Sequence, residues 1–321
     1  MAPVTDQQRP DAVAGSSSRW LHVLSWMGSL AMFALALWLL HRYLTGLAWH
    51  DVVAAWSQLP ARRIAYSVAA AAVSFAMLAM FDVLAARTVV GARISAGFAA
   101  FAGAVTQGIS NTLGFHAITG VALRYRIYAT AGLGTGDIAR IVGLAGFGVG
   151  LGFVVVVAGA LCWQPAITQG WGRLPGVGLL LLLLALLVWL ARRPATFKLW
   201  RWDLALPSAG TAAAQMLIGG IEMLAAISAL YVLLPAGVAP PFVDFLPIYV
   251  GAVLAGIVSH SPGGIGVFET IMLASFPPQA RPELLAAMMC YRLIYSLLPF
   301  VLASMALGGF EWRLRRRRRG G

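Results

Sequence analysis

Of 321 residues, 60% are hydrophobic and 11% charged, and the mean hydropathy is +0.82. That excludes an ordinary soluble domain and points to an all-α, polytopic integral membrane protein. The net charge of +12, carried by 22 Arg and Lys198 alone, is read as a topology signal and a headgroup contact; no nucleic-acid partner is expected.

Residues 1–18 are polar and read as a disordered N-terminus. Residues 21–44 form the first span. This run is too long for a signal-peptide core and lacks a small-residue cleavage site, so an uncleaved anchor is expected. Residues 47–60 carry Trp49, His50, Asp51 and Trp56 and read as an interfacial helix. Residues 64–86 are the second span, with Asp82 near its end and so expected at the interface, as are Asp137 and Arg140. The next stretch, 96–113, is interrupted by Gly103, Gln107, Gly108, Ser110 and Asn111, with Gly114 beyond.

After a short polar break come Thr119-Gly120-Val121-Ala122-Leu123-Arg124-Tyr125-Arg126-Ile127-Tyr128. Residues 138–161 form a span with Gly143, Gly146, Gly148, Gly150 and Gly152, a spacing that allows close helix approach. Residues 174–190 are Leu-rich and expected to face lipid. The basic loop 191–207 holds Arg192, Arg193, Lys198 and Arg201 against Asp203. It is expected to be cytoplasmic and to join two halves, 19–190 and 208–311, of one membrane domain, 19–311. Residues 209–234 embed Gln215 and Glu222, and 284–310 hold Tyr291, Arg292 and Tyr295. The tail, 312–321, contains Arg313 and Arg315 to Arg319 and is expected on the cytoplasmic side.

This makes about eight membrane segments, with a range of seven to nine. Eight simple crossings with both ends inside would put the 192–201 loop outside, against its charge. At least one broken stretch is therefore expected not to cross as a single helix.

The most informative break runs from Ser259 through His260, Ser261, Pro262, Gly263 and Gly264 to Gly266 and Glu269. Pro262 donates no backbone hydrogen bond and the glycines do not hold a helix, so one helix is expected to stop near Ser259. Another is expected to start near Ile265, with Ser261 and Pro262 as N-cap and first turn. Irregular backbone at membrane depth must lie within protein or beside a water-filled cavity. A helix restarting there points amides at an anion. Gly108-Ile109 before the first break matches Gly256-Ile257 before the second, as an internal repeat would, and paired interrupted segments point to a midplane transport site.

Arg124 and Arg126, two apart, do not share a helix face. Either fork suits a phosphate. Glu222 lies mid-span, where a charged carboxylate is costly, so it is expected to be protonated or paired, with Arg292 its natural partner. Cys162 and Cys290 suggest neither a disulfide framework nor a metal site. The five histidines lack ligand spacing, and no cofactor, ATP-hydrolysing loop or nucleophile motif is read.

Ser110-Asn111-Thr112-Leu113-Gly114 through Thr119 to Tyr128, with Ser261-Pro262-Gly263-Gly264-Ile265-Gly266-Val267-Phe268-Glu269, resembles the transmembrane flippase domain of lysylphosphatidylglycerol synthases, the bacterial multiple-peptide-resistance factors. The resemblance covers most of the chain. It implies a multi-pass protein of the bacterial cytoplasmic membrane that translocates a phospholipid or aminoacylated phospholipid, with a link to antimicrobial peptide resistance. Full-length members add an aminoacyltransferase domain. This chain ends in an arginine tail where that domain would follow, so no aminoacyltransferase activity is expected of it alone. The alternative is the membrane half or accessory of a phosphatidylglycerol aminoacyltransferase with a separate catalytic partner; a homo-oligomer is also open. Candidate substrate-binding residues are Asn111, Gly120, Arg124, Arg126, Tyr128, Glu222, His260, Ser261, Pro262, Gly263, Gly264, Glu269, Tyr291 and Arg292.

Overall fold

The computed structural model describes residues 38, 49–113, 116–163, 173–192, 198–199, 202–203, 206–235, 237–259 and 262–319. The expected first span, apart from Trp38, lies outside them. So do His260, Ser261 and most of the basic loop. Eleven helices are described from Trp49 onward: α1 (Trp49–Ser57), α2 (Ala61–Val90), α3 (Ala96–Leu113), α4 (His116–Ala129), α5 (Thr135–Trp163), α6 (Arg173–Arg192), α7 (Ala209–Tyr231), α8 (Phe242–Val258), α9 (Val267–Ser275), α10 (Arg281–Arg292) and α11 (Leu298–Arg319). A π-helical segment, Leu293–Leu297, joins α10 to α11. Between α6 and α7 lies a two-residue antiparallel ladder, Lys198–Leu199 against Trp202–Asp203. Among the described residues, five helical stretches are long and apolar enough to cross a membrane: Ala61–Arg93, Thr135–Trp163, Arg173–Arg192, Ala209–Tyr231 and Pro278–Arg316. The protein is an all-α polytopic membrane protein.

The two broken stretches are antiparallel helix hairpins. In the first, Thr119 on α4 donates to the Ser110 hydroxyl on α3 at 3.2 Å, across the turn. In the second, Tyr249 on α8 packs edge-on to Phe268 on α9 at 5.6 Å, and Phe245 to Phe276 at 6.4 Å. The return legs have 14 and nine residues, about 21 and 14 Å at 1.5 Å per residue, against a hydrocarbon core of about 30 Å. Neither leg can cross.

Side-chain contacts fix the direction of each long helix. Arg63, at the start of α2, donates to the Leu234 carbonyl just beyond α7, while Ser74 and Glu222 pair halfway along both. Arg93, just past α2, pairs with Asp137 at the start of α5 at 3.0 Å. Arg126, near the end of α4, pairs with Glu311 near the end of α11 at 2.6 Å. One end of the bundle thus collects Arg87, Arg93, Arg126, Arg140, Arg192 and the C-terminal arginines; the opposite end holds Arg62, Arg63, Asp244, Arg281 and Glu283. The first hairpin enters from the basic end, the second from the opposite end. Each follows a long helix and is followed by another, so the order α2, hairpin, α5 recurs inverted as α7, hairpin, α10–α11. The hairpins also remove the charge conflict of a simple eight-crossing count, because the 191–207 loop and the tail now emerge at the same end.

Two glycines let α5 lie against α7. A Cβ on Gly152 would fall 2.4 Å from the Gly219 Cα, and one on Gly219 would fall 2.3 Å from the Gly152 Cα. Gly148 is crowded by Gln215 and Phe81, whereas Gly143, Gly146 and Gly150 meet nothing within 4 Å. Three of the five glycines in the α5 run therefore serve no close approach. The leucines of α6, including Leu180, Leu181, Leu182 and Leu184, are exposed, as expected of a lipid-facing helix. Gly152→Ala should force α5 from α7 and lower stability by at least about 1–3 kcal/mol. Thermal unfolding in detergent tests this, with Gly146→Ala expected to stay near wild type.

Candidate functional site

The tips of the two opposed hairpins meet. A Cβ on Gly263, in the second tip, would lie 3.5 Å from the Thr112 carbonyl oxygen and 3.8 Å from that of Asn111, at the end of α3. Thr112 in turn donates to the Ser296 carbonyl at 2.9 Å. Ser296 adjoins Tyr295, which reaches Glu222 and Ser74 halfway along α7 and α2. The junction therefore sits near the middle of the bundle.

The second tip is a 3-10 turn, Pro262–Gly264, and α9 begins at Val267, two residues later than the sequence suggests. The reason is backbone hand. Gly263, Gly264 and Gly266 have φ of 60°, 68° and 86°, a left-handed region that a right-handed helix cannot include. Gly266, not Ser261, precedes the helix. Its N–H donates to Glu269 Oε2 at 2.8 Å. The helix start expected to receive an external anion is thus capped by its own carboxylate.

Glu269 also holds Arg292. Nε and Nη2 of Arg292 donate to Glu269 Oε1 at 2.9 and 2.6 Å, and Nη1 donates to the Gly263 carbonyl at 2.7 Å. The guanidinium lies 5.6 Å from the Phe268 ring centroid. The side chains keep 27% and 14% of their exposure, so this ion pair is reachable. The expected pairing of Arg292 with Glu222 is corrected. The carboxylate three residues past the N-cap is folded back toward the tip, where Arg292 arrives, whereas Glu222 faces α2.

Glu222 is buried and takes hydrogen bonds at Oε1 from Ser74 Oγ at 2.9 Å and Tyr295 OH at 3.2 Å; those two hydroxyls are 2.7 Å apart. Tyr295 stacks on Tyr291 at 5.1 Å. Tyr291 stacks on Phe268 and shares a 2.7 Å hydrogen bond with Tyr249. An aromatic column thus joins Glu222 to the Arg292 junction.

Arg124 faces away from it. Its Nε and Nη2 bind Asp82 Oδ1 and Oδ2 at 2.8 and 2.7 Å, and Tyr128 donates to Oδ1 at 3.1 Å. All three are buried, Asp82 and Tyr128 completely. Asp82 is therefore not interfacial: α2 runs on to Val90 and leaves it two turns inside the helix. Gly103 makes room, since a Cβ there would fall 2.8 Å from Asp82 Oδ2. Gly120 sits over Arg124 Nη1 and the Ser110 hydroxyl, and Arg126 points to the surface, as the two-residue spacing requires. Asp137, in the first turn of α5, pairs with the exposed Arg93 at the basic end of the bundle.

Of the sequence-named candidates, the fold gathers Asn111, Gly263, Gly264, Glu269, Tyr291 and Arg292 at the junction, with Pro262 in the same turn and Glu222 one hydroxyl away. It sets Arg124 and Tyr128 in a separate ion-paired cluster, with Gly120 beside it. Ser74 and Tyr249 escaped sequence reading. Ser74 sits in an alanine-rich stretch with no local signal, but Tyr291 and Tyr295, four apart around Arg292, mark a polar helix face.

Removing either partner of the Asp82–Arg124 pair leaves a buried charge alone, at about 3–5 kcal/mol. Asp82→Asn and Arg124→Gln should each destabilise by that order in unfolding assays. The double variant should cost clearly less than the sum.

No protein-family model matches the chain. It is 28% identical over 296 residues to an uncharacterized protein of Synechocystis sp., covering 90% of this chain and 92% of that one. The inner membrane protein YbhN of Escherichia coli is 30% identical over 201 residues, 58% of this chain and 61% of YbhN. A phosphatidylglycerol lysyltransferase of Staphylococcus aureus is 36% identical over 101 residues, 30% of this chain but 12% of that enzyme. The chain is thus similar to inner-membrane and lysyltransferase proteins while spanning a small part of the latter.

Proposed function

We propose that the protein translocates a phospholipid across the bacterial inner membrane, with the headgroup passing the junction of the two hairpin tips. The observation that carries this reading is the partly exposed Glu269–Arg292 pair at that junction, near the middle of the bundle. Ionisable groups at such depth are rare and often mark a substrate path. The pair's two charges complement a zwitterionic or aminoacylated headgroup: the Arg292 fork for the phosphate, the Glu269 carboxylate for the ammonium. Arg124, occupied by Asp82, is assigned a supporting role. The similarity to a phosphatidylglycerol lysyltransferase supports a lipid substrate, and that to YbhN supports the inner membrane.

Sidedness follows from charge. By the positive-inside rule the basic end faces the cytoplasm, which places the 191–207 loop and the arginine tail there. The first hairpin then enters from the cytoplasm and the second from outside. The units related by the inverted repeat rock against each other to change access to the tips.

The test is movement of headgroup-labelled phospholipid in proteoliposomes. Wild-type protein should accelerate it, and Arg292→Gln and Glu269→Gln should slow it about tenfold or more, each by at least about 1.4 kcal/mol of lost interaction. Arg126→Gln, at the surface, should not. Absence of movement with zwitterionic, anionic and aminoacylated lipids alike would overturn the reading.

A further inference from the structure

We infer that Glu222 is a proton-exchange site that couples a transmembrane proton gradient to headgroup passage at the hairpin junction. This rests on the translocase reading and adds its energy source.

The argument starts from what surrounds the carboxylate. Glu222 lies halfway along α7 and is buried, yet no Arg, Lys or His among the described residues pairs with it. From α2 it meets Ser74. From the π-helical segment it meets Tyr295. α10 brings Tyr291 and Arg292, and Arg292 is engaged by Glu269 and the Gly263 carbonyl. α8 offers Tyr249, bonded to Tyr291. α5 has no titratable residue between Arg140 and Cys162, and α6 none between Arg173 and Arg192. An ionised carboxylate at such depth, with hydroxyls alone for company, is unfavourable, and taking a proton removes the penalty.

The hydroxyl triangle has room for that proton. Three oxygen–oxygen contacts, of 2.9, 2.7 and 3.2 Å, share two hydroxyl hydrogens, from Ser74 and Tyr295. Each contact carries its own hydrogen only when Glu222 supplies the third. Loss of the proton leaves an anion that both hydroxyls must turn toward, which breaks the Ser74–Tyr295 contact.

Tyr295 passes this change on. It lies one turn from Arg292, which clasps the second tip through Glu269 and Gly263, and stacks on Tyr291, which stacks on Phe268 beside Glu269. The intervening segment, Leu293–Leu297, is π-helical, with a wider turn that often marks functional sites within helices. Proton arrival and departure at Glu222 therefore bear on the helix that pins the tip. In one cycle a proton is taken from one aqueous face and released to the other, with no other bond made or broken.

Proteoliposomes with an imposed pH difference test this. For one proton per lipid, a one-unit difference can drive up to about tenfold leaflet asymmetry of the labelled lipid. Wild-type protein should build a large part of that and lose it when a protonophore is added. Glu222→Gln should build none, whatever rate of movement without gradient remains, and Tyr295→Phe should build less than wild type. Wild-type movement indifferent to the gradient, or a gradient response kept in Glu222→Gln, would overturn the inference and leave the translocase standing. If no lipid moves, infrared difference spectra still decide on Glu222. A carboxylic acid band absent from Glu222→Gln and varying with pH supports exchange; a band constant across pH overturns it. Should Glu222→Gln not fold, a band perturbed by Ser74→Ala and Tyr295→Phe reports the same group, and an unperturbed one refutes the assignment.

Discussion

Backbone that leaves the helix inside a membrane has no water to satisfy it, so it must find partners within the protein. This constraint organises the bundle. The second tip has one of its free amides, that of Gly266, bound by Glu269 and one of its free carbonyls, that of Gly263, bound by Arg292. Glu269 and Arg292 then satisfy each other. One ion pair closes two open valences of a broken helix. The tip can be irregular only because α10 delivers an arginine at that depth.

The same need sets the packing around the first hairpin. Thr112 ties its end to the Ser296 carbonyl, and Gly108 lets α3 come within contact of Pro299 and Ala303 on α11. Asp82, Arg124 and Tyr128 fasten α4 to α2 where both are buried, with Gly103 giving the carboxylate its space. Two of the three core clusters among the described residues follow the hairpins. One is centred on α2 to α5 and the other on α7 to α10, and each encloses one hairpin. The chain thus builds two similar supports, aimed at each other from opposite ends, in place of one continuous wall of crossing helices.

Much of this was legible in the sequence, for a physical reason. Residues that forbid a helix are local facts, so Pro262, Gly263 and Gly264 announced the second break without knowledge of the fold. Apolar length is local too, and it revealed the long spans. The pairing of charges was not legible, since it depends on the rotation of each helix about its axis. Asp82 looked interfacial because the apolar run seemed to end near it. Arg292 looked like the partner of Glu222 because nothing local said that the Glu269 carboxylate would fold back over its own helix start. The glycines of α5 illustrate the same limit: five share one run, and only the facing helix decides that Gly148 and Gly152 are needed while Gly143, Gly146 and Gly150 are not.

The arrangement of charge also bears on how such a bundle could work. Asp82–Arg124 is sealed, made of two well-aligned hydrogen bonds, and anchors helices that need not part. Glu269–Arg292 is partly exposed and draws both of its strongest contacts to a single carboxylate oxygen, the other being held by the helix start. A guanidinium bound to one oxygen keeps less of its partner than one bound to two, so this pair is the more readily opened of the two. Among the described residues Glu222 has no cation partner. Among the described residues the protein thus grades its carboxylates from buried and fully paired at Asp82, through partly exposed at Glu269, to held by hydroxyls at Glu222.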